Sequence, residues 1–194
     1  LFADHHMSHA ASAFYCSPYD EAAILTCDGV GEWQTTTVGR GRADWDGAGP
    51  NAIELLDEVR FPHSLGLLYS AFTAFLGFRV NSGEYKVMGM APYGDPNKYD
   101  FSRLAKFENG ELTIDTDYAN VIGLRRYKEA GKGYYFSPKL IDWLGPRRQG
   151  DIADDPYIHY AASMQKLFED IALAMLDHYL GDILRETGRL AFAG

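Results

Sequence analysis

Cysteine is nearly missing from this sequence. Cys16 and Cys27 are the whole supply, and their separation is not the CxxC spacing that metal and redox sites use. A thiolate zinc site and a disulfide framework are therefore excluded, and both residues read as buried thiols. Long apolar runs are missing as well. No stretch approaches the length needed to span a bilayer, and the opening Leu1-Phe2-Ala3-Asp4 lacks the regions of a secretory signal. A cytoplasmic location is expected, with no membrane partner. Positive charge is in short supply: 18 Lys and Arg stand against 27 Asp and Glu, for a formal net charge of −9. A nucleic-acid backbone or an anionic lipid surface would want a basic face, so neither is an expected partner. A small molecule fits better. Fixed-period repeats and low-complexity segments are also absent.

What is present is enough to fold. With 46% hydrophobic and 14% aromatic residues over 194 positions, the chain can bury the core of one large domain or of two small lobes. It opens without Met and closes on Arg189-Leu-Ala-Phe-Ala-Gly194, which reads as a strand entering a missing turn. A fragment of a longer enzyme is the expectation.

The stretch ADHHMSHAASAF, residues 3–14, places three histidines within five positions on what reads as a helix. Residues four apart share a helix face with Cβ atoms about 5 to 6 Å apart, so His5 and His9 can address one common object. His6 points off to the side. Two imidazoles at this spacing are how a helix offers nitrogens to a transition metal. The alternative is a solvated, idle helix start.

Ala22–Asp28 has the length and apolarity of a doubly buried strand. Gly29-Val-Gly31 reads as a tight turn into a second strand, Glu32–Val38, and an acidic residue followed by glycines makes that turn a place for phosphate or metal. A plain glycine turn is the bland alternative. Residues 40–51 read as a loop and Ala52–Val59 as a third strand. Ser64–Leu76 suits a buried helix with a capping serine, ended by Gly77. In Asn81–Gly94 the charges of Glu84 and Lys86 are embedded among small and apolar residues, either as a used pair or as a solvated surface turn. Residues 100–107 read as a short helix and Glu111–Asp115 as a strand; residues 120–155 read as loops with a solvated basic patch at Arg125-Arg126. From Pro156 to about Glu186 apolar residues recur at helical spacing, with His159 and His178 as structural or solvated passengers, and Gly188 ends the helix before a last strand. This order is α/β: a mixed sheet with helices packed on it.

Three blocks, DHHMSHAASAFYCSPYDEAAILTCDGVGEWQTTTVGRG, HSLGLLYSAFTAFLGF and EYKVMGMAPYG, resemble the NodU/CmcH-type O-carbamoyltransferases, which decorate nodulation factors, cephalosporins and antibiotics of the aminoglycoside class. The resemblance covers nearly the whole chain. It implies that residues 1–194 are the middle of an N-terminal actin-like ATPase (ribonuclease H-like) domain related to the tRNA threonylcarbamoyl transferases, truncated here and lacking its YrdC-like C-terminal partner domain. It implies carbamoyl phosphate and ATP as substrates, carbamoyl adenylate as the intermediate, and a hydroxyl of a small molecule as acceptor. His5 and His9 match the metal-binding histidines of the family's HHxxHA block, Asp28 matches the aspartate of DGVGEW, and iron is the metal suggested. A further metal-binding aspartate of the family would lie beyond Gly194.

On this likeness His6 is read as a proton shuttle or oxyanion donor. Gly29 and Gly31 would let the backbone approach a phosphate, and Glu84 and Lys86 would lie near the reactive group. Threonylcarbamoyl transfer to tRNA adenosine is disfavoured by the acidic balance. A non-catalytic nucleotide-sensing module would not need the metal triad. A homodimer stays open, and residues 1–194 alone are expected to fold yet turn over no substrate.

Overall fold

The computed structural model describes residues 2–47, 49–120, 126–150 and 154–194. In chain order the elements are α1 (His5–Tyr15), β1 (Glu21–Gly31), β2 (Gln34–Arg42), β3 (Ala52–Arg60), α2 (Leu65–Phe75), α3 (Glu84–Met90), β4 (Ala105–Glu108), β5 (Glu111–Ile114), β6 (Lys128–Glu129), β7 (Lys132–Gly133), α4 (Pro138–Leu144), α5 (Tyr157–Thr187) and β8 (Leu190–Ala193). The chain divides into two compact units: residues 1–66, 108–111 and 172–194, and residues 67–107 with 112–171.

The first unit is built on one mixed sheet of order β3-β2-β1-β8, in which β1 and β3 run antiparallel to β2 and β8 runs parallel to β1. Alternation along β1 sends its side chains to two faces. Ala22 and Ile24 pack with Ala10 and Phe14 of α1 on one face, while Ala23 and Leu25 pack with Leu180 and Ile183 of α5 on the other. The apolar run Ala22–Leu25 of β1 thus matches a strand covered by helices on both faces. The α/β expectation with a mixed sheet holds.

Several boundaries move. Strand β1 continues through Gly29 and Gly31, and the turn falls at Glu32-Trp33, with Glu32 at φ 60°. The glycines lie in an irregular stretch of strand, where the β1–β2 register shifts between Cys27 and Gly31, and not in the turn itself. Pairing with β1 and β3 also carries β2 to Arg42, past the expected start of the loop. Cys16 is exposed, against expectation; Cys27 is half-buried in the sheet, and desolvation pushes its thiol pKa up.

In the second unit, Phe72, Phe75, Phe101, Phe136 and Tyr160 form a ring cluster with centroids 5.2 to 6.1 Å apart. Arg148 is 2% exposed; its guanidinium donates to the Leu76 carbonyl at 3.0 Å and lies over the Phe78 ring. The helix expected over residues 100–107 is absent: Phe101 to Leu104 turn, and β4 then pairs with β5 through Asn109-Gly110, both at positive φ. Asn-Gly is the strongest short hairpin signal, and here it sets the local structure. Residues 84–90 are helical and not a surface turn. The stretch expected to be loops contains α4, whose Ser137 accepts from the Lys139 N–H ahead of Pro138 at the first turn. Arg126 is exposed, whereas Arg125 lies outside the described residues. Among the described residues no helix is long and apolar enough to cross a membrane.

Candidate metal centre

Helix α1 places His5 above His9, and β1 carries Asp28 to meet them. His5 Nε2 lies 2.7 Å from Asp28 Oδ2, His9 Nε2 lies 3.0 Å from His5 Nε2, and His9 Nε2 lies 3.7 Å from the same Asp28 oxygen. Three ligand atoms each about 2.1 Å from one ion and at right angles are separated by about 3 Å, so the triangle has the edges of one face of a coordination shell. Hydrogen counting agrees. His5 Nε2 carries at most one hydrogen, and that hydrogen cannot serve both Asp28 and His9. A shared cation satisfies all three atoms. The side chains of His5, His9 and Asp28 are 43%, 30% and 31% exposed, so the triangle faces solvent on one side and leaves room for further ligands.

The Asp28 side is fixed from below. Gly29 N–H donates to Asp28 Oδ1 at 2.6 Å, and the Ser64 hydroxyl reaches the carbonyls of Asp28 and Gly29 at 3.2 and 2.7 Å. Gly66 permits this approach: a Cβ there would stand 2.6 Å from the Asp28 carbonyl oxygen. Burial works against ionising Asp28, but the Gly29 N–H and His5 outweigh it and hold its pKa below the ordinary 3.8. The carboxylate is therefore charged and ready for a cation.

The sequence-derived candidates thus separate. His5, His9 and Asp28 converge, with Gly29 beside Asp28 and Gly31 beneath the His5 ring, where a Cβ would lie 2.1 Å from His5 Cδ2. Both glycines serve the ligand set in this geometry. The reading of His6 as a proton shuttle is revised, because the ring is fully buried and both nitrogens are engaged: Nδ1 with Thr26 Oγ1 at 2.6 Å and Nε2 with the Gln34 carbonyl at 3.0 Å. Burial pushes its pKa below 6.5, against the upward pull of the Gln34 carbonyl.

Glu84 and Lys86 belong to the second unit. Glu84 receives the N–H groups of Asn81 and Gly83 at 2.8 and 3.0 Å and the Ser70 hydroxyl at 3.1 Å, so its charge closes the start of α3. Lys86 is exposed, its ammonium about as far from the Phe78 ring as from Tyr85, at 5.9 and 6.0 Å. His159 accepts the Asp95 N–H, a structural task. Thr26 and Gly66 were not singled out from sequence, and Ser64 was read only as a helix cap. Thr26 left a trace, as a hydroxyl inside an apolar run.

The structure is thus an α/β domain in which two histidines of one helix turn meet a strand aspartate, a donor set of the kind that could hold a metal ion. Along its whole length, residues 1–194, the chain matches the family described as carbamoyltransferase N-terminus, and it belongs to that family. It is 61% identical over 177 residues to the uncharacterized protein sll1178 of Synechocystis, covering 90% of this chain and 27% of that protein. It is 32% identical over 195 residues to the nodulation protein NolNO of Sinorhizobium fredii, covering 100% of this chain and 25% of that protein. To the nodulation protein NolO of Bradyrhizobium diazoefficiens it is 31% identical over 195 residues, covering 98% and 30%. The chain therefore spans about a quarter to a third of the length of these relatives.

Proposed function

We propose that this chain is the acceptor-side part of an O-carbamoyltransferase, which moves a carbamoyl group from carbamoyl adenylate, made from carbamoyl phosphate and ATP, to a hydroxyl of a small molecule. The observation that carries the reading is the His5–His9–Asp28 triangle in a chain of the carbamoyltransferase N-terminus family. The order β3-β2-β1-β8, antiparallel except for β8, supports reading the first unit as an actin-like, ribonuclease H-like sheet.

In this reading His5, His9 and Asp28 hold a divalent first-row cation, with iron the suggested one. A cation held there supplies Lewis acidity to a carbamoyl oxygen and lowers the pKa of a hydroxyl bound beside it. The protein's own groups set that up. His5 and His9 offer ring nitrogens, Asp28 supplies a carboxylate oxygen, and Gly29 N–H keeps the aspartate turned toward the histidines. The exposed side of the triangle admits donor and acceptor. Lys86, with its exposed ammonium, stays the candidate for contact with donor phosphates, whereas Glu84 is spent on its own helix end.

The test is an assay of the full-length protein with carbamoyl phosphate, ATP and a panel of hydroxylated small molecules, read as a mass shift of one acceptor. Transfer that disappears in His9→Ala supports the reading. Transfer that survives in both His5→Ala and His9→Ala overturns the role of the triangle.

A further inference from the structure

Between α1 and the sheet runs a closed line of hydrogen bonds that reaches the ligand histidines from behind. His6 Nε2 meets a carbonyl, that of Gln34, and a carbonyl only accepts, so Nε2 carries the hydrogen. In the neutral ring Nδ1 then accepts, and the Thr26 hydroxyl donates to it. Thr26 Oγ1 has its lone pairs left for two donors, and two are present: the Thr37 hydroxyl at 2.7 Å and the Thr37 N–H at 3.2 Å. Every hydrogen of Thr26 and His6 is used, in one assignment only. All three side chains are fully buried, so water does not compete for these bonds.

The geometry couples this line to the ligands. His5, His6 and His9 share one helix, and a rotation of α1 that swings His5 and His9 must also drag His6 out of its two bonds. A ring nitrogen roughly 7 Å from the helix axis moves about 2 Å for a rotation of about 20°. That displacement would open the triangle well beyond its observed edges.

We infer that His6 is a positioning residue: bonded to Thr26 of β1 and to the Gln34 carbonyl of β2, it sets the rotation of α1 and so pre-forms the His5–His9–Asp28 triangle for a divalent cation. This rests on reading the triangle as a cation site. Thr26 is the anchor through which the sheet acts, and its role is hydrogen-bond donation and not bulk.

The test uses the full-length protein and Co²⁺ as the probe, followed by its visible absorption and by calorimetry, with thermal unfolding recorded for every variant. Thr26→Val removes the donor at nearly constant volume and should weaken Co²⁺ binding by roughly 10- to 100-fold, the loss usual when the support of a ligand is removed. Thr26→Ser keeps the hydroxyl and should restore affinity. Ile24→Val thins the α1-facing core without touching the line, and should lower the unfolding temperature while leaving Co²⁺ affinity unchanged. Equal affinity in wild type and Thr26→Val overturns the inference while leaving the cation site standing. So does an affinity loss in Ile24→Val as large as in Thr26→Val, since that would make the effect one of general stability. A wild-type protein that binds no Co²⁺ overturns the cation-site reading, and the positioning role falls with it.

Discussion

The imidazole of His5 occupies the space above Gly31 that a side chain would need. A Cβ at Gly31 would stand 2.1 Å from His5 Cδ2 and 2.5 Å from Cγ, distances that no rearrangement of the methyl can relieve. Gly31→Ala should therefore push His5 away from Asp28 while the rest of the sheet persists. The expected result is at least a tenfold loss of cation affinity with the far-ultraviolet circular dichroism unchanged. Wild-type affinity in Gly31→Ala would show that α1 adjusts freely.

His5→Ala and His9→Ala each remove one corner of the triangle from a partly exposed surface, not from the core. Bound metal, measured by elemental analysis of the purified full-length protein, should fall to background in both. Unfolding temperatures in the presence of chelator should match wild type within the small range expected of surface changes.

Phe14 is fully buried where α1 meets Ala22, Ile24 and Ala191. Phe14→Ala should cost about 3 to 5 kcal/mol, read from the shift of the urea midpoint at constant slope. A loss under about 1 kcal/mol would mean that α1 is only loosely seated on the sheet.

Burial opposes the charge of Glu84, yet the N–H groups of Asn81 and Gly83 and the Ser70 hydroxyl prevail and hold its pKa below the ordinary 4.5. A lowered folded-state pKa gives stability that is complete above the unfolded value and is lost as pH falls through the folded one. Wild type should accordingly exceed Glu84→Gln in stability at about pH 6, and the gap should narrow as pH falls below the ordinary carboxylate value. A gap that does not change with pH would assign the effect to shape and not to charge.

How much of this was legible beforehand varies with the range of the interaction involved. The pairing of His5 with His9 follows from helix period alone, and the doubly covered β1 follows from an unbroken apolar run. The Asn109-Gly110 hairpin and the Ser137-Pro138 helix start were equally local, and their signals were present in stretches read as a short helix and as loops. The extension of β1 through its glycines had no comparable signal: Gly31 pairs with Gln34, and Glu32, not a glycine, takes the positive φ of the turn.

The sequence by itself determined the α/β order, the facing pair of imidazoles, and through its three blocks the family to which the chain belongs. The resemblance implied Asp28 as a further ligand, and the tertiary structure brings that residue, 23 positions from His5, to within 2.7 Å of it. The tertiary structure also decided that Glu84 closes a helix end, that Gly31 makes room for a ring, and that His6 faces inward against Thr26. The physical reason is that a helix period fixes which residues share a face, while the face that is buried depends on which sheet it meets. Two adjacent histidines on the same turn are chemically alike until packing desolvates one and leaves the other open to a cation.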